Sequence, residues 1–443
     1  MSDTIIALAT APFKSALALI RMSGKDSFEY AKKVFSKPQK IDGSRAMVFG
    51  ELLKDGEAID QVVLLLYPSS SSMTGENVVE ISCHGSMVIV NQIIDLFLSL
   101  GARYAERGEF TERAFLSGKM DLIQCEAVNE LVNSVTDEGK KLALMSLKGE
   151  ASSLVAPIKK NIGDILSLIE VNIDYPEYED IEIVTTAKII DECEKIRNTI
   201  EALVKQGKEG KIIKEGVKVA IVGEPNVGKS SLLNALLGED KAIVSPIPGT
   251  TRDLVEGSFN IGGIPFVLLD TAGIRETEDV IEKIGVKRSE KTIEDSDIVL
   301  LVIDVTNPIV PKEFEKKLKG KKVIYVWNKK DLSETEVNAP VDGVFVSAKN
   351  GDISELKKKM VEVVGLSQAS FESASLSNAR QIGILKQIEA LLKKAEKEAK
   401  EGVPLDLISV SLHKALNQTK ELLGENVSQD ISDEIFSRFC IGK

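Results

Sequence analysis

The chain reads as an α/β and α protein. It has a mixed α/β domain at the N-terminus, a discontinuous helical domain, and an inserted α/β domain with a doubly wound, mostly parallel sheet. Three observations predict this. Short β-branched runs punctuated by turn residues fill residues 1–118, and amphipathic helical patterns flank a central segment. That segment, 216–366, alternates strand and helix patterns. The helical parts fall at 119–215 and 367–443. At 443 residues the chain has room for two or three cores.

Strands are expected at Ile5-Ile6-Ala7-Leu8-Ala9, Ala16-Leu17-Ala18-Leu19-Ile20-Arg21, Met47 to Leu52, Val62 to Tyr67 and Val78 to Ser82. Turn signals lie between them at Asp42-Gly43, Asp55-Gly56 and the serines 69–72. A helix from about Met87 to Leu100 ends at Gly101. Farther on, Leu122, Ala127, Leu131 and Val135 suggest one apolar helix face, and Ile162, Ile165, Leu166 and Ile169 another. The acidic stretch from Asp174 to Asp180 reads as a solvated connection. Gln206-Gly207-Lys208-Glu209-Gly210 reads as a linker, as does the Ser- and Ala-rich run from Gly365 to Asn378. Helix returns from about Ala379 to Phe439.

The central segment carries the chemistry. Gly223-Glu224-Pro225-Asn226-Val227-Gly228-Lys229-Ser230-Ser231 fits G-x-x-x-x-G-K-[ST]. It follows the strand pattern Val217–Val222 and precedes a leucine-rich helix that Gly238 is expected to close. Glycines let amides face a phosphate chain, and the helix N-terminus adds partial positive charge. Lys229 suits the β- and γ-phosphates, and the Ser230 hydroxyl suits Mg²⁺. A threonine of Pro248-Gly249-Thr250-Thr251-Arg252-Asp253, taken as Thr251, would complete the Mg²⁺ shell. Asp270-Thr271-Ala272-Gly273 ends a strand pattern in Asp-x-x-Gly, a carboxylate beside the metal and a glycine where a γ-phosphate is sensed. Asn328-Lys329-Lys330-Asp331 follows another strand. The Asp331 carboxylate can accept from guanine N1–H and N2–H₂, and adenine offers neither donor. Ser347-Ala348-Lys349 supplies the last base contact. Five motifs in this order resemble the guanine-nucleotide domain of translation-factor-like GTPases.

Ras-like switches orient the attacking water with a glutamine directly after Asp-x-x-Gly. Ile274 stands there and cannot do so. Arg275, Glu276, Glu278, Asp279 and Glu282 are the nearby candidates, with Arg252 as a further one.

Composition narrows the class. The net charge of −12 opposes a broad nucleic-acid-binding surface, so any RNA contact is local or shared with a partner. Four cysteines without CxxC spacing and two histidines argue against zinc and for a reduced cytoplasm. No apolar run is long enough to span a bilayer, and Met1-Ser2-Asp3-Thr4 lacks a signal peptide's basic region, so no membrane role is expected.

As a whole the chain resembles the MnmE (TrmE) tRNA-modification GTPases. The resemblance rests on Ile20 to Gly24, Thr74-Gly75-Glu76-Asn77, Gly108 to Phe115, Gly249 to Asp253 and the terminal Phe439-Cys440-Ile441-Gly442-Lys443. It implies a folate-binding N-terminal domain that forms a homodimer, and G domains that pair across GTP under K⁺. Asn226 would ligate K⁺ with carbonyls near Ser245, Ile247 and Thr250, and Glu282 would orient water. Folate contacts fall on Arg21, Glu80, Lys119 and Lys443. The folate would be a 5,10-methylene- or 5-formyl-tetrahydrofolate, whose one-carbon unit is transferred to C5 of the wobble uridine of certain tRNAs. The implied partner is the FAD-dependent MnmG (GidA) protein, in a heterotetramer or larger complex. Cys440 is expected to pack or position the tail. The family's glycine-rich run is here Pro12-Phe13-Lys14-Ser15-Ala16, which bears on the folate pocket. The rivals are a ribosome-assembly GTPase, which predicts a basic RNA-binding appendage, and a nucleotide-gated scaffold.

Overall fold

The computed structural model describes residues 3–175, 186–239, 257–269, 291–310, 314, 317–333 and 339–443. They divide into two compact units, each built from separate stretches of chain. One comprises Met1–Asn129, Ser146–Glu194 and Ala390–Lys443, the other Glu130–Met145 and Lys195–Glu389.

The first unit holds a six-stranded sheet of β1 (Ile5–Leu8), β2 (Leu17–Ser23), β3 (Ala46–Lys54), β4 (Glu57–Tyr67), β5 (Val78–His84) and β6 (Arg103–Tyr104), in the order β3-β4-β5-β2-β1-β6. The five expected strands are present, and two-residue β6 joins β1 in parallel. Strand alternation separates two faces. Ile20, Met22, Leu64, Leu66, Val79 and Ile81 are buried on one of them and share a core with the helices Ser27–Val34 and Met87–Ser99. Arg21 and Glu80 sit opposite each other in the β2–β5 register, on the other face.

Helices Ala156–Asp174 and Leu405–Leu423 belong to the same unit. Ile162, Ile165, Leu166 and Ile169 form a buried stripe, as their spacing predicts. The other predicted face is only half right: Leu122 and Ala127 are buried, but the helix is Leu122–Val132 and Val135 beyond it is exposed.

The second unit contains β7 (Val217–Val222), β8 (Ser258–Ile261), β9 (Ile264–Leu268), β10 (Ile298–Asp304), β11 (Lys322–Asn328) and β12 (Val344–Phe345), ordered β12-β11-β10-β7-β9-β8. Every pair is parallel except β8–β9. Val219, Ile221, Leu300, Val302 and Val326 pack on Leu232, Leu236, Leu356 and Met360 on one side. Ala220, Val299, Leu301, Ile303 and Trp327 pack on Ile293, Phe314 and Leu318 on the other. Burial on both faces is why these strands read as continuous apolar runs. β9, which follows in the chain, lies on one side of β7, and β10, which follows β9, lies on the other, so the C-terminal end of β7 lies at a topological switch point.

Two expectations need correction. Residues 206–210 are no linker, since helix Thr186–Glu215 runs through them. Their glycines serve close approach: a Cβ on Gly207 would lie 2.3 Å from the Leu376 carbonyl oxygen, and one on Gly210 would lie 2.2 Å from Ser375 Oγ. The run 365–378 is correspondingly packed, with Ser370, Ser375, Leu376 and Ser377 buried and Gln206 Nε2 donating to the Ala374 carbonyl at 3.1 Å. Nor does Gly238 close its helix, which extends over Lys229–Glu239. Burial of Leu232, Leu233 and Leu236 outweighs the roughly 1 kcal/mol that an interior glycine costs.

Candidate functional site

The loop 223–228 leaves β7 and turns into the 229–239 helix, whose first turn carries exposed Ser230 and Ser231. Asn226 holds a left-handed φ of 63°, a conformation asparagine tolerates better than most residues, and its side chain is exposed. Lys229 folds back into the loop, where Nζ donates to the carbonyls of Gly223 at 3.0 Å and Glu224 at 2.6 Å. Burial pushes its ammonium below the ordinary lysine range, with Glu224 acting in the opposite direction. A cation enclosed by carbonyls beside a helix N-terminus is suited to meet an anionic phosphate.

Asn328, 2% exposed, ties this loop to the turn that begins at Ser347. Its Nδ2 donates to the Val227 carbonyl at 2.9 Å, and its Oδ1 accepts from the Ala348 amide at 3.0 Å. Gly228 makes room for it, since a Cβ there would stand 2.2 Å from Asn328 Nδ2. The Asn-Lys-Lys-Asp motif thus begins with an internal clamp. Asp331 follows in a short 3₁₀ turn, Lys330–Leu332, and accepts from Ser347 Oγ at 2.6 Å. Its carboxylate is exposed rather than buried. Each carboxylate oxygen has two acceptor sites, so the serine orients the group without exhausting it. Reciprocal bonds between Ser347 and Asp352 close the turn that holds Ala348 and exposed Lys349. Lys329 has φ 66°, and its Nζ donates to Asp304 Oδ2 at 2.6 Å. Burial alone would raise the Asp304 carboxyl; Lys329 and the Thr306 donors outweigh it and hold it below the usual range.

Ser245, Ile247, Thr250, Thr251, Arg252, Asp270, Thr271, Ala272, Gly273, Ile274, Arg275, Glu276, Glu278, Asp279 and Glu282 lie outside the described residues.

A second constellation occupies the first unit. Arg21 Nε donates to Glu80 Oε1 at 2.8 Å, its NH1 donates to the Gly442 carbonyl at 3.1 Å, and its guanidinium lies 5.7 Å from the centre of the Phe110 ring. The C-terminal tail reaches this point through the Gly108 amide, which donates to the Cys440 carbonyl, and the Phe110 amide, which donates to that of Lys443. Burial pushes the Lys443 ammonium down and nearby Arg21 adds to this, while Cys440 opposes it. Residues 21, 80 and 443, far apart in sequence, are therefore neighbours. Lys119 is exposed, with its Cε near the turn at Gly75.

Among the described residues no helix is long and apolar enough to cross a membrane, and no three His, Cys, Asp or Glu side chains are grouped to hold a metal.

Comparison with known proteins identifies the chain. Residues 4–119 match the family description "GTP-binding protein TrmE N-terminus", and residues 122–440 match "MnmE helical domain". The chain is 40% identical to the tRNA modification GTPase MnmE of Ligilactobacillus salivarius, across 100% of this chain and 98% of that protein. It is 39% identical to that of Enterococcus faecalis with the same coverage. The chain belongs to the MnmE family of tRNA modification GTPases. It is accordingly a GTP hydrolase of a tRNA-modifying family. Among solved structures, Aquifex aeolicus Era bound to GDP.AlF4⁻ shares 32% identity over 40% of this chain and 66% of that chain, with a TM-score of 0.27.

Some of what frames these MnmE-family sites escaped the sequence reading. Arg113, 2% exposed, donates to Glu76 Oε2 at 2.9 Å, Glu109 Oε1 at 2.9 Å and Asp3 Oδ1 at 3.0 Å. Ser23 Oγ donates to Glu76 and meets Thr74 Oγ1 at 2.8 Å. The segments 74–77 and 108–115 are thus bound together by one ionic network centred on buried Arg113. The four-residue spacing of Glu109 and Arg113 was its only sequence signal. Of the two expected roles, Cys440 positions the tail through its carbonyl, which accepts from the Gly108 amide, rather than packing it. Its side chain is exposed, and Phe439, 5.5 Å from the Phe436 ring, does the packing.

Proposed function

We propose that this chain hydrolyses GTP in G domains that pair across the nucleotides with K⁺, and that the cycle drives modification at C5 of the wobble uridine of certain tRNAs. The observation that carries the reading is the joining of two sites in one unit. A phosphate-type loop with Lys229 inside it and a guanine-type turn at Asp331 are held together by the Asn328 amide.

Lys229 would bind the β- and γ-phosphates together with the amides of Asn226, Val227, Gly228, Ser230 and Ser231. Ser230 and Thr251 would hold Mg²⁺, and the exposure of Ser230 at the helix start fits that use. Asn226 would face K⁺ together with Ser245, Ile247 and Thr250, and its exposed side chain on the loop fits a shared cation. Such a cation would neutralise charge that develops in the transition state, where other GTPases use an arginine. Glu282 would orient the attacking water. Asp270, Thr271, Ala272 and Gly273 would sense the γ-phosphate, and Asp331 with Lys329, Ser347, Ala348 and Lys349 would read the base.

At the second site Arg21, Glu80, Lys119 and Lys443 would hold a tetrahydrofolate. An ion pair at 2.8 Å, an aromatic ring beside it and a second ammonium fit a ligand with a polar flat ring and carboxylates. When bound, the folate supplies the one-carbon unit. The chain's acidic charge, −12, favours sharing the tRNA with a basic FAD-dependent partner of the MnmG type. We further propose a homodimer through the N-terminal domain, a cytoplasmic setting, and domains at 1–118, 119–215, 216–366 and 367–443.

The test is GTP hydrolysis by the full chain in KCl and in NaCl at equal ionic strength, alongside Glu282→Ala. Stimulation by K⁺ that the variant loses is the expected result. Equal rates in both salts would sink the cation mechanism, and full activity of the variant would remove Glu282 from its role.

A further inference from the structure

Asp331 sits among lysines. Lys329 and Lys330 precede it directly, and an ammonium two residues away on a flexible stem is a natural partner for an exposed carboxylate. Neither lysine takes it. Lys329 Nζ is held by Asp304 at 2.6 Å, and Lys330 Nζ lies 3.8 Å from Asp352. Among the described residues, Asp331 accepts only from the neutral Ser347 hydroxyl. Asp304 is itself anchored at the end of β10: its Oδ1 accepts from the Thr306 amide at 2.9 Å and from Thr306 Oγ1 at 2.7 Å, so Oδ2 is presented to the lysine. The Val305 amide donates to the Asn328 carbonyl at 3.0 Å, which fixes this strand end against the recognition turn.

We propose that Asp304 is a positioning residue for base recognition: it holds the Lys329 ammonium away from Asp331 and keeps the base-reading carboxylate open to a guanine. The inference rests on the guanine reading given above for Asp331. A guanine edge offers two N–H donors to that carboxylate, and an ammonium bound there would have to be displaced first. An exposed lysine–carboxylate pair is worth up to about 1 kcal/mol, so releasing Lys329 should weaken guanine nucleotide binding by as much as about fivefold.

The test measures GDP affinity of the full chain by fluorescence titration. Asp304→Asn keeps an oxygen for the Thr306 donors but loses the charge that holds the lysine. It should raise the Kd for GDP about fivefold, and the loss should shrink in high salt, where an exposed ion pair is screened. Asp304→Glu should retain tight binding. An unchanged Kd in Asp304→Asn, or a loss of affinity that high salt does not shrink, overturns the proposal. A merely structural role for Asp304 predicts that second pattern, a loss without salt dependence. Asp331→Asn separates the two readings. If GDP binding survives that variant, guanine reading by Asp331 fails and takes the proposal with it. If binding is lost there while Asp304→Asn is silent, only the positioning role falls.

Discussion

Alanine at Gly207 sets helix propensity against tertiary packing, with opposite signs. In a helix interior the change from glycine stabilises by about 1 kcal/mol, because alanine loses less backbone freedom on folding. Gly163, in helix Ala156–Asp174, has nothing within 4 Å of its Cβ position, so Gly163→Ala should show that gain. At Gly207 the same methyl would stand 2.3 Å from the Leu376 carbonyl oxygen and 3.3 Å from Ile382 Cγ1. Ordinary contact begins at 3.4 Å, so the carbonyl would have to retreat by about 1 Å, and Leu376 is fully buried. Overpacking of this kind costs roughly 1–3 kcal/mol, which leaves Gly207→Ala destabilised by about 1 kcal/mol. Urea denaturation of the full chain followed by circular dichroism should place the two midpoints on opposite sides of the wild type. Hydrogen exchange should rise over 204–210 and 370–377 in Gly207→Ala only. A Gly207→Ala midpoint raised as far as that of Gly163→Ala would refute the close packing of the 186–215 helix on 374–377.

Two further outcomes are expected. Burial pushes the Glu109 carboxyl up, but bonds from Arg103, the Glu106 amide and Arg113 outweigh it and leave it lowered in the fold. A lowered carboxyl contributes stability above its unfolded value that is lost as pH falls through the folded one, so Glu109→Gln should be less stable at neutral pH and flatter below about pH 4.5. Urea midpoints across that range check this, and parallel curves for the two proteins would contradict it. Gly442, at φ 90°, would place a Cβ 2.5 Å from the Leu8 carbonyl oxygen, so Gly442→Ala should unseat the tail from Arg21. Equilibrium dialysis with 5-formyl-tetrahydrofolate should then show affinity reduced about tenfold or more, and unaltered binding would argue against a folate site that includes the tail.

What the sequence by itself determined is what local chemistry dictates. Period-two and period-3.6 patterns set most strands and helices, because each element must bury one face. The loop 223–231 and the turns at 328–331 and 347–349 were legible as motifs because their residues stand at short, fixed spacings after strand patterns. Residues 206–210 misread for the same local reason. Glycine signals a loop when no partner is in view, yet Gly207 and Gly210 lie in a helix and are small so that it can touch the buried run 374–377. Tertiary structure alone decided the placements that join distant residues. It brought Gly442 to Arg21, 421 positions away, set Asn328 between the phosphate loop and Ala348, and gave Lys329 to Asp304 rather than to Asp331. No local pattern encodes such pairings, because a side chain's choice among several partners depends on where the folded backbone carries each of them.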